Sequence, residues 1–272
     1  MVVFKDVKRE SVLKLLKFGF LKVEVKTVYE DLRLKKNDVS LVFYYSKKLL
    51  VQGKREQVEK ITKELHQLGI GEETKSKPFR KETGWIIGSD ETLKGDTFGG
   101  LVVAAVKANK EIREKLTELG VVDSKALRDS EIIVMAEQIK KLVPCEIKSI
   151  LPNEYNDHKG NVTELLNKLH KKVAQGLLPG KHVVDKYPGC TVGEIIIEKA
   201  ESKYVEVAAA SILARAAGLR QLDYLSLQAG FRVPKGSTHV KLALHELQER
   251  NLNFFEFVKI HFNNVKNFLE KK

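Results

Sequence analysis

The 272-residue sequence has only two cysteines, Cys145 and Cys190, each standing singly and neither in a CxxC pair. That spacing excludes a disulfide framework and a zinc cluster and leaves two ordinary thiols. Long apolar runs are missing as well. Runs such as 84–87 and 102–106 span a handful of residues, against the roughly 18 or more that a bilayer span requires. The first ten residues mix Lys5, Lys8 and Arg9 with Asp6 and Glu10, and no apolar core precedes a small-residue cleavage site. They do not read as a secretory signal, so the expectation is a cytoplasmic protein that meets no membrane.

A balance of charge is also lacking, with 48 Lys and Arg against 36 Asp and Glu for a net +12. The excess is uneven: 19 basic against 11 acidic residues over 1–80 give +8, and 29 against 25 over 81–272 give +4. A basic module joined to a nearly balanced body suits a holder for a polyanion, with nucleic acid the first candidate and a generic soluble surface the plainer alternative. The stretch 71–83 is polar, contains a proline and has no hydrophobic period, which marks a boundary. The expected division is a basic substrate-binding domain over 1–75, a linker over 76–83 and a larger domain over 84–272. In the first, 8–18 and 57–68 carry apolar residues at helical spacing, while 21–28, 28–34, 39–45 and 49–52 read as strands. The pattern predicts a small α/β layer with helices on one face of an antiparallel sheet. A basic opposite face would suit phosphate contacts, which position a duplex without reading its sequence.

Beyond residue 84, strand candidates such as 85–89 and 101–108 alternate with helical patterns, which predicts an α/β domain around a central sheet. Three apolar runs deliver acids at or just past their ends. Residues 85–89 lead to Asp90 and Glu91, His182-Val183-Val184 leads to Asp185, and the run 195–197 leads through Glu198, Lys199 and Ala200 to Glu201. Taken singly, each acid also fits a solvated turn or a helix cap, and Glu194, Glu198 and Glu206 are neighbours that periodicity does not separate from Glu201. Strand ends of one sheet converge, and four carboxylates held together repel one another unless cations stand between them. Hard oxygen donors point to Mg²⁺ or Mn²⁺ rather than zinc, and such a cluster suits two-metal hydrolysis of a phosphodiester. The small-residue run 207–217 predicts a helix lying close against the sheet just after Glu201.

These residues carry a resemblance. Gly88-Ser89-Asp90-Glu91, Gly95-Asp96-Thr97-Phe98-Gly99, Asp123-Ser124-Lys125, Val184-Asp185 and Lys199-Ala200-Glu201, then Ala208-Ala209-Ala210-Ser211-Ile212-Leu213-Ala214-Arg215, occur in that order. The chain thereby resembles the type 2 ribonucleases H, and more narrowly their HIII branch, over most of 84–272. The segments 151–156, Pro234-Lys235-Gly236 and 259–263 also look like that branch. The resemblance implies a ribonuclease-H-like catalytic domain with a central mixed sheet, preceded by a small α/β domain of TATA-binding-protein-like fold. It implies a monomeric endonuclease that cuts the RNA strand of an RNA/DNA hybrid to 5′-phosphate and 3′-hydroxyl ends with Mg²⁺ or Mn²⁺. Carried over by position, the metal-binding carboxylates fall on Asp90, Glu91, Asp185 and Glu201, where the HII branch usually has Asp at the last. Gly88, Ser89 and the loop Leu93-Lys94-Gly95 would meet the ribose 2′-hydroxyls, and Lys125 would hold a ligand carboxylate or a phosphate. Two positions depart from the family pattern: Leu93 stands where a glycine is usual, and Gly100 where a proline is common. Leucine tolerates a positive φ poorly, so Leu93 is expected to alter substrate preference or efficiency without removing a ligand. Cleavage confined to single ribonucleotides in duplex DNA, hybrid binding without catalysis, and another nuclease with a similar acidic sheet are the alternatives.

Overall fold

The computed structural model describes residues 2–25, 30–73, 83–121 and 127–270. The chain divides into two compact units, Met1–Pro78 and Phe79–Lys272. The expected linker falls almost wholly outside the described residues, as does Lys125.

In the first unit, β1 (Val2–Lys5), α1 (Arg9–Lys14, continued by a 3-10 turn Leu15–Phe18), β2 (Leu21–Val23), β3 (Glu30–Lys36), β4 (Val39–Tyr44), β5 (Leu49–Gln52), α2 (Arg55–Gln67) and β6 (Glu72–Glu73) follow in order. The strands form one antiparallel sheet in the order β2-β3-β4-β5-β1-β6. Alternate residues Leu32, Leu34, Leu41, Phe43, Leu49 and Val51 turn to one face and pack on Val12, Leu15, Val58, Ile61 and Leu65 of the helices. This is the α/β layer that the periodicity predicts. Two strands differ from the reading. β1 lies in a short apolar start, and β6 lies in the polar stretch from Gly71, where pairing with β1 defines it (Phe4 with Glu73, Lys5 with Glu72).

The second unit is built on a five-stranded mixed sheet of order β11-β10-β7-β8-β9, comprising β7 (Ile86–Thr92), β8 (Leu101–Ala108), β9 (Cys145–Ile150), β10 (Lys181–Asp185) and β11 (Ile195–Ile197). β10 runs parallel to both β7 and β11, whereas β7, β8 and β9 pair antiparallel. The helices are α3 (Lys110–Glu118), α4 (Asp129–Leu142), α5 (Pro152–Asp157), α6 (Val162–Gln175), α7 (Val205–Ala229), α8 (Lys241–Glu249) and α9 (Asn263–Leu269). β8 reads as a continuous apolar run because both of its faces are covered. Val102, Ala104 and Val106 join a core containing α4 and α7, while Leu101, Val103 and Ala105 join one containing Leu165, Leu166, Leu169 and Val173 of α6. α7 extends well beyond the predicted 207–217. It is apolar on most sides because it lies inside the unit, against β7 and β8. Its approach to β7 depends on Gly88, where a Cβ would stand 2.4 Å from Val207 N. Among the described residues no helix is long and apolar enough to cross a membrane.

Candidate active site

The three parallel strands end together. β10 makes its last rung with β7 at Val184 and Ser89, so Asp90 and Glu91 pair only with Ala104 and Val103 of β8. These two acids lie inside β7, which continues to Thr92, rather than past its end as predicted. Asp185 is the last residue of β10 and pairs with Ile197 of β11. The chain then passes Lys199 in the left-handed region, at φ 56, and enters the 3-10 turn Ala200–Ser202 that holds Glu201. Parallel α/β sheets hold ligands beyond the carboxyl ends of their strands. A cleft of ≈ 400 Å³ lies there, lined by Asp90, Glu91, Asp185 and Glu201 with Thr92, Ser211 and Arg215.

Strand geometry turns Asp90 and Glu91 to opposite faces of the sheet, and their environments separate their acidities. Asp90 faces α7. Burial and the adjacent Glu91 charge push its carboxyl well above the ordinary value, while bonds from Ser211 and from the Glu91 N–H, at 2.9 Å, pull the other way. Glu91 faces α6, with His170 Nε2 3.4 Å from Oε2 and Lys94 Nζ 3.5 Å from Oε1. Burial would raise this carboxyl too, but the His170 ring and Lys94 outweigh it and leave it below its ordinary value. Asp185 accepts the Ala200 N–H at 3.1 Å, which ties the end of β10 to the turn carrying Glu201. The acids that periodicity left open have other partners. Glu206 makes a buried pair with Arg113 at 3.2 Å, Glu194 accepts the His182 N–H at 2.7 Å, and Glu198 lies 3.6 Å from Lys186.

Gly88 and Ser89, expected at the ribose hydroxyls, lie in the sheet interior. Both pair with β8 on one side and β10 on the other, and Gly88 serves the approach of α7. The fully buried Ser89 Oγ stands 2.7 Å from His170 Nδ1 and 2.7 Å from His182 Nε2. One hydroxyl has one proton, so one ring nitrogen accepts it and the other donates. Burial, with the His170 charge second, draws His182 down to about 4 and keeps it neutral at pH 7.

The loop 93–95 opens directly from β7. Leu93 takes the left-handed conformation at φ 65, and its buried side chain fills space that Gly99 and Gly218 leave. A Cβ on Gly99 would stand 2.9 Å from Leu93 Cδ1, and one on Gly218 3.3 Å from Leu93 Cγ. Burial of the isobutyl group thus holds a conformation that leucine alone disfavours. Lys94 Nζ lies 4.8 Å from the centre of the Tyr187 ring. Gly100 is also explained by packing: a Cβ there would meet Ile150 O at 2.2 Å, and its N–H, which proline lacks, donates to Gln221 Oε1 at 2.7 Å.

Sequence reasoning did not single out His170 or His182 and gave Ser211 and Arg215 no role. His170 sits on the apolar face of α6, beside Leu166, Leu169 and Val173, where a buried imidazole is legible but its partner is not. Arg215 is a cleft residue whose Nη2 pairs with Asp129 Oδ1 at 3.0 Å. The donors facing the cleft are hard carboxylate oxygens, and burial and like charge raise the Asp90 carboxyl above its ordinary value, a cost that a divalent cation held there would relieve. Among the described residues, no three acid, histidine or cysteine side chains already stand at the spacing of a closed metal cage. The four carboxylates line an open cleft.

The family model for Ribonuclease HII matches residues 87–265. A ribonuclease HIII of Enterococcus faecalis is 31% identical over 89% of this chain and 93% of that protein. The crystal structure of Bst-RNase HIII in complex with Mn²⁺ is similar with a TM-score of 0.64 and 26% identity, covering 99% of this chain and 98% of the other. Aquifex aeolicus RNase H3 gives 0.59 and 29%, covering 96% and 100%. With the acids of β7 and β10 gathered in one cleft, the chain belongs to the ribonuclease HII family and, within it, to the ribonuclease HIII enzymes, endonucleases acting on RNA/DNA hybrids.

Proposed function

We propose that this chain hydrolyses the RNA strand of RNA/DNA hybrids, leaving 5′-phosphate and 3′-hydroxyl ends, in the cleft formed by Asp90, Glu91, Asp185 and Glu201. The carrying observation is the meeting of these four acids, from β7, β10 and the turn after β11, at the common end of the parallel strands. They would hold Mg²⁺ or Mn²⁺, a reading supported by the Mn²⁺ complex of Bst-RNase HIII. Bound divalent cations supply an acidified water as nucleophile and neutralise the leaving oxygen. The chain's own groups do the rest. Asp90 would be among the groups that hold the cations, His170 orients Glu91, and Ser211 and Ala200 N–H hold Asp90 and Asp185 in place. Leu93, Lys94 and Gly95 lie beside the acids, where backbone amides can meet a ribose hydroxyl. Lys125 is proposed to approach a ligand carboxylate or a phosphate.

The first unit is proposed to grip the hybrid through phosphates. Its sheet turns one face to its helices, while the opposite face carries Arg33, Lys35, Ser40 and Tyr44 among other residues. Action as a monomer is part of the proposal. The decisive experiment compares a labelled uniform RNA/DNA hybrid with duplex DNA holding one ribonucleotide, in Mg²⁺, Mn²⁺ and chelator. Efficient metal-dependent cutting of the hybrid, with little at the lone ribonucleotide, is expected. Cutting only at the lone ribonucleotide, or tight binding without cutting, would overturn the proposal.

A further inference from the structure

Lys259 is fully buried, and it is the one lysine classed so among the described residues. Its Nζ donates to three backbone carbonyls of a single loop: Leu93 O at 2.8 Å, Asp96 O at 2.6 Å and Gly99 O at 2.8 Å. An ammonium has three N–H donors and no acceptor, so this arrangement satisfies it completely. The rings of Tyr155 and Phe262 flank it, with centres 5.2 and 5.3 Å away. The nearby Asp96 carboxylate is engaged elsewhere, accepting the Gly236 N–H at 2.6 Å. Burying a cation is costly, and a well-packed apolar side chain would fill the space at less cost. The carbonyls it gathers identify what it does.

The loop leaves β7 directly after Asp90, Glu91 and Thr92. In a trans peptide the C=O and the following N–H point in opposite directions. Turning Leu93 O inward to Lys259 therefore turns the Lys94 N–H outward. The amides of Lys94 and Gly95 have no acceptor among the described residues. The same loop is pinned elsewhere by Lys259 N donating to Thr97 O at 3.0 Å, Gly99 N to Phe257 O at 3.1 Å, and Asn264 Nδ2 to Thr97 Oγ1 at 2.7 Å. Leu93, held at positive φ, has its carbonyl turned inward by two donors, the Lys259 ammonium and the Asp96 N–H at 3.2 Å, and only the first ties it to the far end of the loop.

We propose that Lys259 is a positioning residue for substrate recognition, its ammonium fixing the loop 93–99 so that the Lys94 and Gly95 amides face the RNA strand. The inference rests on the hybrid-cleaving reading of the cleft. Lys259 touches neither substrate nor the metal-binding acids and acts through the loop backbone.

The full chain with Lys259→Met is compared with wild type in three measurements: kcat and KM on a uniform hybrid, Mn²⁺ affinity by calorimetry, and binding of hybrid against DNA duplex in chelator. A rise in KM of about tenfold and a smaller preference for hybrid over duplex are expected, with Mn²⁺ affinity changed less than about twofold. Unchanged KM and preference would overturn the proposal, as would a loss explained wholly by Mn²⁺ affinity. A wild-type chain that cuts no hybrid would instead remove the reading of the cleft. If the variant does not fold, wild-type protein with ¹⁵N-labelled lysine supplies the test at pH 6, below the value of about 7 to which burial draws Lys259 despite Asp96. Its water-shielded ammonium signal is expected to shift on adding hybrid in chelator and to stay in place with a DNA duplex. A signal unmoved by hybrid overturns the proposal.

Discussion

At the scale of single residues, the cleft works by separating like groups. Asp90 and Glu91 are adjacent, yet one is held toward its neutral form by burial and its neighbour's charge, and the other is kept anionic by His170 and Lys94. Replacing Asp90 with Asn keeps its shape and removes its charge. Single-turnover cleavage should fall by at least about a hundredfold while hybrid affinity in chelator stays near wild type. Turnover above a few per cent would remove Asp90 from the mechanism. His182 gives a stability prediction with a definite sign. Its folded value of about 4 lies below the ordinary 6.5, so the unfolded chain binds the extra proton between those values. Stability from this group is complete above pH 6.5 and is lost as pH falls toward 4. Denaturant titrations at pH 7 and pH 5 should differ by about 2 kcal/mol on its account, and His182→Phe should flatten that difference. The four carboxylates were legible in the sequence because each follows or ends an apolar run. Ser89 was not, because the two imidazoles that engage it come from α6 and β10, remote in sequence. Lys259 stands between Val258 and Ile260 in an apolar and aromatic stretch, but the carbonyls that make its burial tolerable come from 93–99, remote in sequence.

At the scale of elements, β7 and α7 set the site together. β8 and α7 were legible as an apolar run and a run of small residues, and the structure adds that both are enclosed on most sides. β6 was not legible, since two glutamates become a strand only by pairing with β1. The continuation of β7 through two acids also runs against strand propensity, and the cleft accounts for it. Gly88 is where β7 and α7 meet most closely. Gly88→Ala puts a Cβ 2.4 Å from Val207 N, so helix or strand must shift. Thermal melting should show a loss of about 1–3 kcal/mol. Cleavage should fall with it, because Ser211 rides on α7 and Glu201 stands four residues before that helix begins. A variant with wild-type melting and activity would show that this contact does not set the site.

At the scale of the whole molecule, charge and apolar packing are divided differently between the units. The first third carries most of the net charge, and the first unit has a core made only of its own residues. Removing residues 1–75 should weaken hybrid binding and flatten the dependence of log affinity on log salt, since the phosphate contacts proposed there would release counterions. Filter-binding titrations at several salt concentrations measure that slope, and an unchanged slope would move the phosphate contacts to the second unit. In the sequence a polar stretch separates two segments of different charge, and the chain parts into two compact units at Pro78. The separate cores have a thermal consequence. Phe4, Leu41 and Leu65 belong to one core and Val106 and Leu213 to another, so calorimetry is expected to resolve two melting steps. A cation held at Asp90 and Asp185, as proposed, is expected to raise the heat-absorption peak of the unit that contains them more than the other.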